Sequence, residues 1–109
     1  MSNTSVFGLN ENMAAALSYL LGWLSGFLVL FLERDNEFVR FHAMQSIVVF
    51  LGLTVIGFII GAIPIIGFVT APFIGLLSVL LWLLLMWRAY QGARYKLPIA
   101  GDFAESLLR

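Results

Sequence analysis

FHAMQSIVVFLGLTVIGFIIGAIPIIGFVTAPFIGLLSVLLWLLLMW, residues Phe41 to Trp87, is a run of 47 positions in which His42 is the only titratable side chain. A single helix of that length would reach roughly 70 Å, more than twice the ~30 Å hydrocarbon core of a bilayer, so the stretch folds back once. The reversal is expected in Ala62-Ile-Pro-Ile-Ile-Gly-Phe-Val-Thr-Ala-Pro72. There Pro64 and Pro72 lack the donor a helix interior uses, and Gly67 relaxes the backbone between them. Two crossings follow, about 43–62 and 70–89. A hairpin that dips and returns is the alternative, but each arm holds enough apolar residues to cross fully.

Upstream, Met13 to Leu32 is another stretch of crossing length without a charged side chain. Met1 to Asn12 has no Lys or Arg, unlike the basic start of a secretory signal, so this helix is expected to be retained. The 109 residues allow one domain, here 1–109, and composition says what surrounds it. Hydrophobic residues make up 61% and charged residues 11%, with a mean hydropathy of +1.00. A soluble domain carries about a quarter charged residues. The expected fold is all-α, an integral bundle of three transmembrane helices (13–32, 43–62, 70–89) with a short interfacial segment before the second and a 90–109 tail. Zero net charge gives no basic stripe for nucleic acid. The absence of cysteine excludes disulfides, thiolate metal sites and a cysteine nucleophile.

The basic residues set an orientation. Arg34 and Arg40 follow the first span, and Arg88, Arg94, Lys96 and Arg109 follow the third, whereas the N-terminal segment and the 63–69 turn have none. Three crossings put both basic segments on the cytoplasmic face of the cell membrane, with the N-terminus outside and the C-terminus inside. Trp82, Trp87, Tyr90 and Tyr95 beside Arg88, Arg94 and Lys96 read as an interfacial belt.

Helices in lipid associate through small residues that let backbones approach. Ala14, Ser18, Gly22 and Gly26 recur at four-residue spacing, as do Gly57 and Gly61, so these are the expected seams, within a protomer or between copies. Glu33-Arg-Asp-Asn-Glu-Phe-Val-Arg-Phe-His-Ala-Met-Gln-Ser46 is the most polar segment. Asp35 or Asn36 can cap a helix opening at Glu37, and Glu37 with Arg40 has ion-pair spacing. His42, Gln45 and Ser46 form a polar stripe at the membrane boundary, where unpaired donors are costly. Arg40, His42, Gln45 and Ser46 are therefore the candidate functional or organising cluster. One histidine without a second ligand at helical spacing makes no metal site. After Pro98, Asp102 and Glu105 have capping-box spacing, and Phe103, Leu107 and Leu108 are the expected apolar side of a short interfacial helix.

Gly8-Leu-Asn-Glu-Asn12, Ala15-Ala-Leu-Ser-Tyr-Leu20, Phe38-Val-Arg-Phe-His-Ala-Met-Gln-Ser46 and Lys96-Leu-Pro-Ile-Ala-Gly101 together resemble a family of small bacterial and archaeal multi-pass membrane proteins. That family is similar to the Tic-twenty-like subunit of the chloroplast inner-envelope protein import machinery. The resemblance implies membrane embedding and self-assembly. The function expected is non-enzymatic: a subunit acting through helix contacts with its own copies or another membrane protein, in assembly or protein translocation. A small passive channel or transporter with a path lined by Ser18, Ser25, Thr54 and Ser78 is the alternative. The spans hold no Asp, Glu, Lys or Arg to couple ions. Paired carboxylates, an activated nucleophile and a phosphate-binding loop are all missing, so no enzyme and no cofactor are expected.

Overall fold

The computed structural model describes Gly8 and residues 10–108, and every regular element among them is helical. Asn10 opens α1 (Glu11–Leu20) by accepting the Asn12 N–H on its side-chain oxygen at 2.7 Å. The helix ends at Leu21, because Gly22 takes φ 64°, a left-handed setting that costs glycine nothing. Then α2 (Trp23–Leu32) runs back beside α1. Ala14 and Val29 share one buried cluster with Val39 and Ala43. Asn36 Nδ2 donates to Glu11 Oε1 at 2.7 Å, joining the two ends of the pair. The first apolar run is thus a helical hairpin. Each arm has 10 residues and reaches about 15 Å, half of a hydrocarbon core.

Asn36 accepts the Val39 N–H at 3.0 Å and starts α3 (Glu37–Ser46). A π-helical turn over Ile47–Leu51 carries it into α4 (Gly52–Gly61). The combined run Glu37–Gly61 is 25 residues long and apolar enough to cross. Ala62 and Ile63 reverse the chain. Pro64 begins α5 (Pro64–Tyr90), 27 residues, at a position where a helix needs no N–H. Gly92, at φ 83°, turns the chain into residues 93–97, and α6 (Ala100–Leu107) closes the described chain.

Two helices long and apolar enough to cross a membrane, not three, is the main correction to the sequence reading. Met13–Leu32 has the length and hydropathy of a span, but the backbone turns at Leu21–Gly22. The third helix begins at Pro64 rather than near 70, and Pro72 lies inside it. Only the 62–63 junction, not the whole 62–72 segment, forms the reversal. The expectation that the N- and C-terminal segments lie on opposite faces rested on a complete first crossing. In the structure a Cβ at Gly92, just past α5, would meet Asn12 of α1 at 3.1 Å, so both ends share one end of the molecule. The N-terminal segment before Gly8, Leu9 and Arg109 lie outside the described residues.

The core forms where α1 crosses α3 and the last third of α5. Ala15, Ala16 and Tyr19 pack with Val49, Phe50, Leu85 and Ala89. Beyond it α4 buries no residue, and α5 buries only Gly67 before Leu85. The two form an arm that extends the molecule to 54 Å. Every charged side chain among the described residues falls within 11–40 or 88–105, at the end opposite the arm's tip.

Candidate functional site

His42 and Gln45 lie one turn apart on α3, both fully buried and facing Tyr19 of α1, which is equally buried. His42 Nε2 is 2.9 Å from the Ala93 carbonyl, which can only accept, so Nε2 carries the proton. Nδ1 then accepts the Tyr19 hydroxyl at 2.7 Å, and the Tyr19 oxygen accepts one Gln45 Nε2–H at 2.9 Å. Gln45 donates its second N–H to the Tyr95 carbonyl and receives the Leu97 N–H on Oε1, both at 2.9 Å. One side-chain amide therefore reads residues 95 and 97 as a neighbouring strand would. Phe38 and Phe41 wall the imidazole edge-on, with ring centroids 4.7 and 5.3 Å away. Among the described residues no buried side-chain nitrogen or oxygen lacks a partner.

The break at Leu21–Gly22 exposes carbonyls, and those of Ser18, Tyr19, Leu20 and Gly22 find side-chain donors. Trp82 Nε1 donates to Tyr19 O at 2.8 Å and to Leu20 O at 3.2 Å; Ser46 Oγ donates to Gly22 O at 2.8 Å. Ser25 Oγ reaches Ser18 O at 3.0 Å and accepts the Leu21 N–H at 2.9 Å. A break of this kind, if it lay within hydrocarbon, would need its non-helical backbone satisfied by protein in this way. At the other end of α2, Arg40 Nη1 donates to Glu33 O at 2.6 Å and to Leu30 O at 3.3 Å, capping its last turn. The expected Glu37–Arg40 ion pair is replaced by this cap. Glu33 Oε2 accepts the N–H groups of Asp35 and Asn36.

Outside the clasp is a charged rim. Arg94 stacks over Phe41 at 4.5 Å and pairs with Glu105 at 3.2 Å; Lys96 meets Asp102 and Glu105, each at 3.2 Å. Hydrogen bonds from Lys96 and then Arg94 hold the Glu105 carboxyl below its usual range. Those to Asp102 and then Glu105 hold Lys96 above its own. These contacts tie α6 to residues 93–97. Chemically the arrangement is a clamp: its donors and acceptors are consumed by the chain itself, and it joins α1, α3 and the tail.

Residues 9–104 match the model of the magnetosome magnetite crystal formation protein family. The chain belongs to this family. It is 50% identical over 102 residues to a UPF0132 membrane protein of Methanocaldococcus jannaschii, covering 94% of this chain and 73% of that one. It is 44% identical over 97 residues to a UPF0132 membrane protein of Archaeoglobus fulgidus, covering 89% and 94%. A second M. jannaschii UPF0132 membrane protein is 44% identical over 105 residues, covering 96% and 94%. No solved structure matches the chain. The relatives' names and the two long apolar helices support a membrane location.

In this magnetosome-family chain the four candidate residues do not form one site. His42 and Gln45 belong to the clasp, Ser46 to the break and Arg40 to the α2 cap. Ser46 Oγ bonds Gly22 O rather than His42. Ala14, Ser18 and Gly26 are buried, though the turn at Gly22 divides their stripe between two helices. A Cβ at Gly26 would lie 2.9 Å from Ala43 O, so that approach is close. At Gly57 and Gly61 a Cβ would meet nothing within 4 Å. They line an open groove of about 270 Å³ with Gly67, Ala71 and Gly75. Ser18, Thr54 and Ser78 each donate to a carbonyl of their own helix. Tyr19, Trp82 and residues 93–97 were absent from the sequence-derived cluster. A tyrosine on a small-residue helix gives no signal of a histidine 23 positions later.

Proposed function

We propose that this chain is a non-enzymatic membrane subunit that works through helix contacts of its α4–α5 arm, in assembly or a protein-translocation-related role. The observation that carries the reading is the division of the molecule. The bundle around Tyr19 and His42 closes on itself, whereas the arm leaves α4 without a buried residue and opens a glycine-lined groove beside α5. In lipid such a face costs little alone, yet its smooth surface suits another helix. The hydroxyls at Ser18, Thr54 and Ser78 are spent on backbone carbonyls, which favours this reading over the passive pore. The basic residues at the end opposite the arm's tip argue for a cytoplasmic charged end, with α1 entering from the same side as the tail. The family's description is of magnetosome magnetite crystal formation, and the subunit role proposed for this chain rests on the arm rather than on that description.

The test is native mass spectrometry after mild extraction. A homo-oligomer or a co-purifying membrane protein is expected. Gly57→Leu with Gly75→Leu should abolish it while the melting temperature stays within about 2 °C, because a Cβ at either position would meet nothing within 4 Å. A wild-type monomer without a partner, or a double variant that assembles normally, would refute the reading.

A further inference from the structure

On the side of α6 toward the charged end lies a cavity of about 430 Å³ lined by Glu37, Arg40, Arg94, Glu105 and Leu108. On its other side is a groove of about 410 Å³ whose wall is almost wholly apolar, formed by Ile47, Val48, Leu51, Val55, Phe103 and Leu107 among others. The two are neighbours. Leu107 and Leu108 line one each, and Arg40 and Ile47 stand about 10 Å apart along one helix face. Polar cavity, short interfacial helix and apolar groove thus follow one another in the order of the headgroup and acyl regions of a bilayer leaflet.

The charges in the cavity are unevenly matched. Arg94 and Glu105 engage one another, but among the described residues Arg40 meets only the carbonyls of Leu30 and Glu33, and its guanidinium has further N–H groups to offer. Glu37 is exposed and, among the described residues, has no cation within ion-pair distance. A cation and a carboxylate without ionic partners, one turn apart, complement a ligand that carries both signs.

We propose that the cavity and the groove together hold one phospholipid, its phosphate on Arg40 and Arg94, a primary amine of its headgroup on Glu37, and an acyl chain along Ile47 to Val55. Arginine favours phosphate oxygens, and a primary ammonium can donate to a carboxylate where a trimethylated one cannot. The groove makes a lipid, rather than a free phosphate, the source of the headgroup.

Delipidated protein in detergent can be titrated with phosphatidylethanolamine, phosphatidylglycerol and phosphatidylcholine of equal chain length, and with soluble phosphoethanolamine and inorganic phosphate, read by native mass spectrometry. Phosphatidylethanolamine should be retained several-fold more than the other two. Glu37→Gln should remove that preference without lowering the melting temperature, since Glu37 has no ion-pair partner among the described residues. Arg94→Gln should weaken all three lipids by about tenfold. Equal retention of the three by wild type, or an unchanged preference in Glu37→Gln, would overturn the proposal. So would soluble phosphoethanolamine or inorganic phosphate binding as tightly as the lipids.

Discussion

Gln45 makes three hydrogen bonds with two atoms, so its removal leaves a hydroxyl, a carbonyl and an N–H to be satisfied elsewhere. Unpaired buried groups cost about 1–3 kcal/mol each, whereas transmembrane hydrogen bonds measured by double cycles average about 0.6 kcal/mol. The first figure is the better guide here, because the contacts join segments that a local rearrangement cannot re-pair. His42→Ala, which strands the Tyr19 hydroxyl and the Ala93 carbonyl, should therefore cost about 2–4 kcal/mol in detergent unfolding. Tyr19→Phe keeps the ring but strands His42 Nδ1 and one Gln45 N–H, so it should cost a comparable amount, about 2–4 kcal/mol. Equal, negligible effects in the two variants would show that the clasp is not structural. Gly22→Ala makes a separate point. Its Cβ would find Phe50 at a comfortable 3.5 Å, so the expected loss of about 1–2 kcal/mol comes from φ 64° alone. Gly57→Ala, with open space around it, should leave monomer stability unchanged.

At the level of elements, α6 is the piece most open to solution conditions. It buries Gly101 and Ala104, and a Cβ at Gly101 would come within 2.8 Å of Gln45 Oε1. That is a different face from the Phe103–Leu107–Leu108 side expected to seek an apolar surface, of which Phe103 and Leu107 stay exposed. The helix also begins at Ala100, so Asp102 sits in its first turn rather than capping it. Because the folded Glu105 carboxyl titrates below its ordinary value, its contribution is present at neutral pH and is lost as pH falls through that lowered value. Raised Lys96 adds a contribution that survives until pH climbs past the ordinary lysine range. Hydrogen exchange across 100–107 should accordingly rise only once pH falls below the ordinary glutamate range in wild type, and already at pH 7 in Glu105→Gln, with α3 unaffected. The limits of sequence reading lie at this scale too. The second reversal was legible because a 47-residue run without a charged side chain cannot cross once, and Pro64 suits a helix start. The first was not, because Met13–Leu32 has a span's length and hydropathy, and neither measures chain direction. What allows the turn at Gly22 is the Trp82 indole, 60 residues downstream, on carbonyls the turn exposes. His42 and Gln45 were visible as polar residues in need of partners; their partners were not, since Tyr19 and residues 93–97 meet them only through the tertiary fold.

For the molecule as a whole, the hairpin changes which segments share a side. Single cysteines at Asn12, Asn36 and Gly92 should be labelled from one face by an impermeant thiol reagent, and one at Ile63 from the other. The absence of native cysteine makes each signal unambiguous. Labelling of Asn12 and Asn36 from opposite faces would restore a full first crossing and refute the hairpin. The placement of charge also bears on how such a chain reaches its membrane. Between Phe41 and Trp87 the segment that must pass to the far side is a bare apolar loop, and the ionised groups on either flank can stay where they were made. Biogenesis then needs no transfer of a charged loop through hydrocarbon, a step that costs several kcal/mol per ion. The α3–α5 pair could enter as one closed unit, tip first, with the shorter α1–α2 hairpin settling against it from the side of entry.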